Sequence, residues 1–257
     1  MENNGGRCDN DPEERVMVVL VLALIASMVP SVVIYLLLRR RTREVDRALV
    51  WGMLGVLPVV VLGLILNIIG NLAGMKSLGP IAQSAYTSFV LHSFVEELVK
   101  YSILILIVRK ARTDLSVYDI TAIMVVVGLG FGLPEDVLYL IGSDVVQILI
   151  RGILVMHGGL AYITGRLYAR TVETGKKVHA AIGFIIPFLL HGLYDFGLTP
   201  ELLEKDDNYA LISVGLAFLD LILMIILIVF FIRARNKEKY TRIILKGPAV
   251  KTAGENG

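Results

Sequence analysis

The sequence has a single cysteine, Cys8, among 257 residues, and this scarcity excludes several kinds of chemistry. One cysteine cannot form an intrachain disulfide, and Cys8 is too isolated to predict a zinc site or a thiol nucleophile. Positive and negative charges are also nearly balanced, with a formal net charge of +2. The basic residues lie between apolar stretches, so nothing in the sequence indicates a nucleic-acid partner.

Internal repeats, low-complexity segments and long polar linkers are missing as well, so the sequence predicts one domain. It is instead rich in apolar residues, with 56% hydrophobic residues and a mean hydropathy of +0.73. About seven stretches are long enough to cross a bilayer, which takes roughly 20 residues. They are residues 16–38, 49–72, 85–108, 119–141, 145–167, 179–198 and 209–232. We therefore expect an all-α, multi-pass membrane protein, a bundle of helices in a lipid bilayer.

The charges between these stretches predict the orientation of the chain. Arginine and lysine are abundant after the first, third, fifth and seventh stretches and scarce in the alternate connections. Cytoplasmic loops carry such an excess, so we expect the N-terminus outside the cell membrane and the C-terminus in the cytoplasm. The expected division is an extracytoplasmic tail at 1–15, one transmembrane domain at 16–232 and a basic cytoplasmic tail at 233–257. The acidic N-terminus indicates that the first stretch is not a cleaved signal peptide.

Charged side chains interrupt the third apolar stretch. Glu96, Glu97 and Lys100 lie within five positions, and each charge costs about 3 kcal/mol at the centre of a membrane span. Charges at that depth usually belong to a functional site, although an ion pair that joins two helices is the structural alternative. Glu96 and Lys100 are four apart and can pair on one helix face, so we expect Glu97 to contact a different neighbour.

Three further stretches carry polar groups. In the fourth, Pro134 removes a backbone donor beside Glu135 and should kink the helix. The fifth has His157 near its middle, which packing alone would explain equally well. In the sixth, His191 and Asp195 are four apart, so the carboxylate can orient the imidazole. We expect these groups to meet around a water-filled cavity that opens outward.

Three of these segments together resemble the motifs of the PrsW family of membrane proteases, within the superfamily of CAAX prenyl endopeptidases and bacteriocin-processing enzymes. The family's EExxK, FxxxE and HxxxD motifs are similar to the segments Glu96 to Lys100, Phe131 to Glu135 and His191 to Asp195. Arg151 followed by His157 resembles an additional arginine and histidine of the family. The resemblance covers the core at residues 89–196.

The resemblance implies a membrane-embedded endopeptidase that hydrolyses a peptide bond of a membrane-anchored protein, such as a single-pass regulator. Glu96 would be the base that takes a proton from water, and Glu97 would position the water or a partner. His191, oriented by Asp195, would stabilise the oxyanion or protonate the leaving amine, with assistance from His157.

The remaining residues of the predicted site would support the catalytic groups. Glu135 would hold the water or a histidine, and Lys100, Phe131 and Arg151 complete the motifs. The HExxH signature of many zinc proteases is missing, and the resemblance is to glutamate-type enzymes, so we favour a mechanism without a cofactor. A zinc-dependent version stays open, because an acceptable ligand set is available in Glu96, Glu135, His157, His191 and Asp195.

Two other classes of function fit parts of this pattern. Intramembrane glutamate, histidine and lysine also form proton relays, so a proton-coupled transporter or channel is an alternative, against which we find no inverted repeat. An inactive relative that serves as a scaffold is a further alternative, and the intact motifs argue against it. His92 and Asp220 are intramembrane polar residues to which the motifs give no role.

Overall fold

The computed structural model describes residues 12–39, 44–111, 115–139 and 156–199, together with isolated positions from Leu202 onward. A 3₁₀ turn covers Met75–Ser77, and a two-residue ladder pairs β1 (Leu115–Ser116) antiparallel with β2 (Arg242–Ile243). The helices are α1 (Pro12–Arg39), α2 (Glu44–Leu54), α3 (Val56–Leu72), α4 (Pro80–Ala85), a π-helix (Tyr86–Phe94), α5 (Val95–Lys110), α6 (Val117–Tyr139), α7 (Met156–Thr174) and α8 (Lys177–Gly197). The described chain is thus helical apart from the short ladder, as the sequence predicts.

Four helices of the described chain are long and apolar enough to cross a membrane, which supports a membrane protein. They correspond to the first, second, fourth and sixth predicted stretches and are Val16–Arg39, Glu44–Leu72, Val117–Leu138 and Lys177–Gly197. The third stretch forms the π-helix and α5, which continue one another and carry the charges. The fifth and seventh stretches fall partly outside the described residues.

The second of these spans is divided where α2 meets α3. The N–H of Gly55 donates to the carbonyl oxygens of Trp51 and Gly52. Pro58 has no N–H to give to the carbonyl of Leu54 one turn earlier, so the regular helical bonding is interrupted here. The span of Glu44–Leu72 therefore consists of two segments, of which α2 is the one that packs most closely on α6.

Helix α6 is the centre of the fold. Residues 120–127 have no exposed surface, as expected of a helix that is apolar on all sides. It packs against α1, α2, α5 and α7. A Cβ on Gly130 would overlap the carbonyl oxygen of Leu49 in α2, so glycine permits this close approach. Helix α6 continues through Pro134 and ends at Tyr139. Its last turns include Glu135, whose side chain contacts His157 in the polar cluster.

Candidate active site

The side chain of Lys100 lies inside a polar cluster and is only 1% exposed. Its Nζ is 2.6 Å from Oε1 of Glu97 and 3.6 Å from Oε2 of Glu96. It also lies 4.7 Å from the centre of the Phe131 ring, within the range of a cation–π contact. The ion pair of Lys100 with Glu96, predicted from their spacing of four, is present, although it is not the shortest contact of the ammonium. Glu97 makes the closer contact, because positions three apart on a helix are also neighbours.

The ring of His191, on α8, is surrounded by three carboxylates. Its Nδ1 is 3.0 Å from Oε1 of Glu97, while its Nε2 is 3.3 Å from Oδ2 of Asp195. The same Nε2 is 3.7 Å from Oε2 of Glu96. Each ring nitrogen thus faces an acceptor, which fixes the ring from both sides. Asp195 contacts the histidine that it was predicted to orient, and Glu97 is a second such partner that the spacing did not reveal.

His157, in the first turn of α7, connects α5 to α6. Its Nδ1 is 3.1 Å from Nζ of Lys100, and its Nε2 is 2.5 Å from Oε2 of Glu135. A lysine ammonium has donors only, so Nδ1 accepts from it and Nε2 carries the proton that is donated to Glu135. The Phe131 and His191 rings both contact this imidazole edge to face. A packing role alone does not account for two polar partners.

Two glycines of α6 make room for this histidine. A Cβ on Gly132 would lie 3.2 Å from Cδ2 of His157, and one on Gly128 would overlap its carbonyl oxygen. The spacing of four residues places both glycines on one face of α6. Helix α7 can therefore approach α6 closely enough for His157 to reach Glu135.

Thr164 is a positioning residue that the motifs do not include. Its hydroxyl donates to the carbonyl oxygen of Gly183 over 2.9 Å, from α7 to α8. This carbonyl lacks its usual helical donor, because the residue four positions later is Pro187. A signal was present in the sequence, since Thr164 lies two turns after His157 on the same side of α7.

The structure brings together all the predicted site residues that it describes, from four helices. Arg151, which was predicted to support the site, and Asp220 lie outside the described residues. His92 adds a more distant contact, with its Nδ1 4.0 Å from Oδ2 of Asp195. The catalytic roles of these residues stay predictions.

One buried oxygen of this cluster has no hydrogen-bond partner among the described residues. Oε2 of Glu96 is buried, and the described residues offer it no hydrogen bond. Lys100 and His191 lie beyond hydrogen-bonding distance of it, at 3.6 and 3.7 Å. Buried polar atoms in this position are usually satisfied by water or an ion. Glu96, His157 and His191 also each offer one ligand atom within 4.8 Å of the others.

Comparison with known proteins places the chain in a protein family. Residues 41–234 match the sequence profile of the family described as PrsW family intramembrane metalloprotease. A protein named Protease PrsW from Bacillus subtilis is 32% identical over 121 residues, which cover 45% of this chain and 56% of the relative. A protein of the same name from Geobacillus kaustophilus is 27% identical over 159 residues, covering 60% and 67%. One from Halalkalibacterium halodurans is 31% identical over 123 residues, covering 46% and 56%.

The chain thus spans between about half and two thirds of the length of these curated relatives. The matched profile, in contrast, covers every residue of the polar cluster. No solved structure matches the chain significantly.

Proposed function

Because the chain belongs to the PrsW family of intramembrane metalloproteases, we propose that it hydrolyses a peptide bond of a membrane-anchored protein within the membrane. The observation that carries the proposal is the buried Oε2 of Glu96, which lies between Lys100 and His191 without a hydrogen-bond partner among the described residues. A carboxylate oxygen in that position can accept a proton from a bound water. The same carboxylate would be costly to bury without such a use.

Glu96 is the general base of this mechanism. Its unpartnered oxygen accepts a proton from the attacking water, whose oxygen then bonds to the scissile carbonyl carbon. Glu97 serves differently, since its Oε1 is already in contact with both Lys100 and His191. We assign Glu97 the task of holding these two side chains in place, so that they face the reaction centre.

His191 acts on the other side of the scissile bond. Attack by water places negative charge on the carbonyl oxygen, and Nε2 of His191, which lies 3.7 Å from Oε2 of Glu96, would donate a hydrogen bond to that oxygen when it is protonated. When the C–N bond breaks, the proton needed by the leaving amine comes from this imidazole or from Glu96. Asp195 and Glu97 keep the ring in position during both steps.

His157 and Glu135 form the opposite wall of the cluster. Their contact fixes the proton on Nε2 of His157, and Lys100 fixes Nδ1. Lys100 therefore links the two histidines through Glu97, and its positive charge favours the negative charge that develops in the transition state. Arg151 is proposed as a supporting residue on the basis of the motif alone.

A metal ion is compatible with the donor chemistry of this cluster. Glu96, His157 and His191 supply one oxygen and two nitrogen ligands, the set that zinc prefers, and the unpartnered Oε2 of Glu96 suits a cation. A bound zinc would act as a Lewis acid on the scissile carbonyl and would lower the pKa of water. In that case Glu96, His157 and His191 would hold the metal, and Glu96 would be a ligand and not the base.

We also propose that the chain crosses the membrane seven times, with the N-terminus outside and the C-terminus in the cytoplasm. Arg39 ends α1, and Arg109 and Lys110 end α5, so these two helix ends would lie on the cytoplasmic side of the cell membrane. Glu96 stands near the opposite end of α5 and would therefore be nearer the outer surface. Reporter fusions after residues 40, 75 and 112 test this, since they should report inside, outside and inside.

The central experiment uses the full chain in liposomes with a panel of single-span membrane proteins. We expect cleavage of at least one substrate by the wild type and none by Glu96→Gln, with His179→Gln as the matched control. His179 is a partly exposed histidine in the first turn of α8, where its Nδ1 lies 3.3 Å from the hydroxyl of Thr174, and it makes no contact with the cluster among the described residues. Proton flux that survives Glu96→Gln without cleavage of any substrate would contradict the proposal and favour a channel.

Chelation separates the two forms of the mechanism. Activity that survives a strong chelator supports Glu96 as the base. Loss of activity on chelation, with recovery on addition of zinc, supports Glu96, His157 and His191 as ligands instead. Direct measurement of bound zinc in the wild type and in His157→Gln provides a readout that does not depend on turnover.

A further inference from the structure

Polar residues recur at every fourth position along the helical segment that leads to the cluster. They are Ser84, Ser88, His92, Glu96 and Lys100. The first two belong to α4 and the π-helix, and neither they nor His92 has a part in the proposed chemistry. Residues four apart share one side of a helix, so the pattern forms a polar stripe that ends at the unpartnered oxygen of Glu96.

The π-helix keeps this stripe straight. In an α-helix a step of four residues exceeds one turn by roughly 40°, so four such steps would carry a stripe far around the axis. A π-helix, with bonds from residue i to i+5, has more residues per turn, and there a step of four falls short of one turn. Residues 86–94 are in this conformation, which offsets the drift of the flanking α-helical turns. From this geometry we expect Ser88 and His92 to stay aligned with Glu96.

Two hydroxyls of the stripe are buried without a hydrogen-bond partner. Ser84 is 1% and Ser88 0% exposed, and the described residues offer neither Oγ an acceptor or donor. A helical serine usually donates to a carbonyl of the preceding turn, as Ser102 does to Leu98. The equally buried Ser93 donates to the carbonyl oxygen of Phe188. Ser84 and Ser88 thus differ from their neighbours in lacking a partner, and an unpartnered buried hydroxyl is costly.

His92 is the next residue of the stripe after Ser88 and the one before Glu96. Its side chain is 47% exposed, and its Nδ1 is 4.0 Å from Oδ2 of Asp195. That distance exceeds a direct hydrogen bond and suits a bridging water. Asp195 in turn contacts Nε2 of His191 at 3.3 Å. The stripe is therefore continuous with the groups around Glu96.

We infer that Ser84, Ser88 and His92 hold a file of ordered water molecules that supplies the water consumed at Glu96. Buried waters typically satisfy polar groups that have no protein partner, with about three hydrogen bonds each. A hydrocarbon environment offers no water, so a hydrolase within it needs a polar route of this kind. Peptides and lipids are too large to reach hydroxyls that are fully buried between packed helices, whereas water can.

The last step of this inference rests on the proposed function. Each hydrolysis uses one water, whose hydroxyl group bonds to the acyl carbon while its remaining proton goes to the amine. The presence of water along the stripe does not depend on hydrolysis, however, and it can be measured independently.

Water access is tested by single cysteines in a Cys8→Ser background. In D₂O, the infrared S–H band of a cysteine is lost as the thiol exchanges, and this requires contact with water only. We expect rapid exchange in Ser84→Cys and Ser88→Cys and slow exchange in Ser93→Cys, the equally buried control whose native hydroxyl is bonded to Phe188. Exchange at Ser84→Cys and Ser88→Cys that is no faster than at Ser93→Cys overturns the inference.

Delivery to the reaction is tested by turnover. Loss of one hydrogen-bonding group from the file should lower kcat by about fivefold in Ser88→Ala, with KM for the peptide substrate unchanged. Ser102→Ala, whose hydroxyl is bonded within α5, should leave both constants unchanged. Fast thiol exchange with unaltered kcat in Ser84→Ala and Ser88→Ala would exclude delivery by this route. Fast exchange in a chain that cleaves nothing would instead contradict the proposed function and leave the water file in place.

Discussion

The ammonium of Lys100 lies 3.1 Å from Nδ1 of His157, a residue 57 positions later in the chain. The same ammonium contacts Glu97 on its own helix, and Glu97 contacts His191 on α8. One cation thus joins three helices of the cluster. This arrangement gives Lys100 a structural and an electrostatic role at the same time.

Replacement of Lys100 by methionine should reduce both stability and cleavage. Methionine has a similar length but no charge, so Glu97 would be left buried without its cation. Removal of one partner from a buried ion pair costs roughly 3 kcal/mol or more. We expect a lower midpoint of thermal unfolding in detergent and loss of measurable cleavage.

Lys76→Met is the matched control for this change. Lys76 is exposed in the 3₁₀ turn before α4, so its removal should alter neither quantity. Equal unfolding midpoints for the wild type and Lys100→Met would contradict a structural role for the cluster's cation.

The two adjacent glutamates should behave differently when each is changed to glutamine. Glu96→Gln removes the base but keeps a side chain of the same shape, so we expect loss of cleavage with little change in thermal unfolding. Glu97→Gln weakens the contacts with Lys100 and His191 and should lower the unfolding midpoint as well. Measurement of unfolding and cleavage for both variants tests the assignment. The reverse pattern, with Glu96→Gln the less stable variant, would exchange their roles.

Much of this site follows from sequence spacing. The spacing of four between His191 and Asp195 predicts their contact, because such positions are adjacent on a helix. The placement of Glu96 and Lys100 within an apolar stretch predicts a buried polar cluster, since charge is rarely tolerated in lipid without a use. Local geometry and the cost of burial suffice for both predictions.

The contacts between helices did not follow from spacing. Glu97 was expected to contact a neighbour other than Lys100, and the structure identifies that neighbour as His191 on α8. The additional i,i+3 contact with Lys100 was not predicted. The π-helix was also not anticipated, because no single residue type marks one. Helix rotation and π-helical segments depend on packing across the whole bundle, and a single sequence does not encode them in a local pattern.

Gly132→Ala should displace His157 without unfolding the protein. The added Cβ would lie 3.2 Å from Cδ2 of the imidazole, so the ring has to shift by a few tenths of an ångström. Small displacements of a catalytic group reduce rates strongly, and we expect cleavage to fall by about tenfold or more. Thermal unfolding should change little.

Gly128→Ala provides the comparison on the same face of α6. Its Cβ would overlap the backbone carbonyl of His157, which cannot move aside as a side chain can. We expect a clear loss of thermal stability in this variant. If Gly132→Ala were the less stable of the two, the close approach of α6 and α7 at residue 128 would not be important for packing.

Thr164→Val should weaken the link between the helices that carry the two histidines. The change keeps the size of the side chain but removes the hydroxyl that donates to the carbonyl of Gly183, which Pro187 leaves without its helical donor. A buried carbonyl that loses its only strong partner costs about 1 to 3 kcal/mol, so the unfolding midpoint should fall. Because His157 is on α7 and His191 on α8, cleavage should fall more than the loss of folded protein explains.

Thr164→Ser retains the hydroxyl and should restore both quantities, whereas Thr171→Val, which loses only a bond to Leu167 within α7, should behave like the wild type. A Thr164→Ser variant as impaired as Thr164→Val would indicate that packing of the methyl group, and not the hydrogen bond, connects these helices.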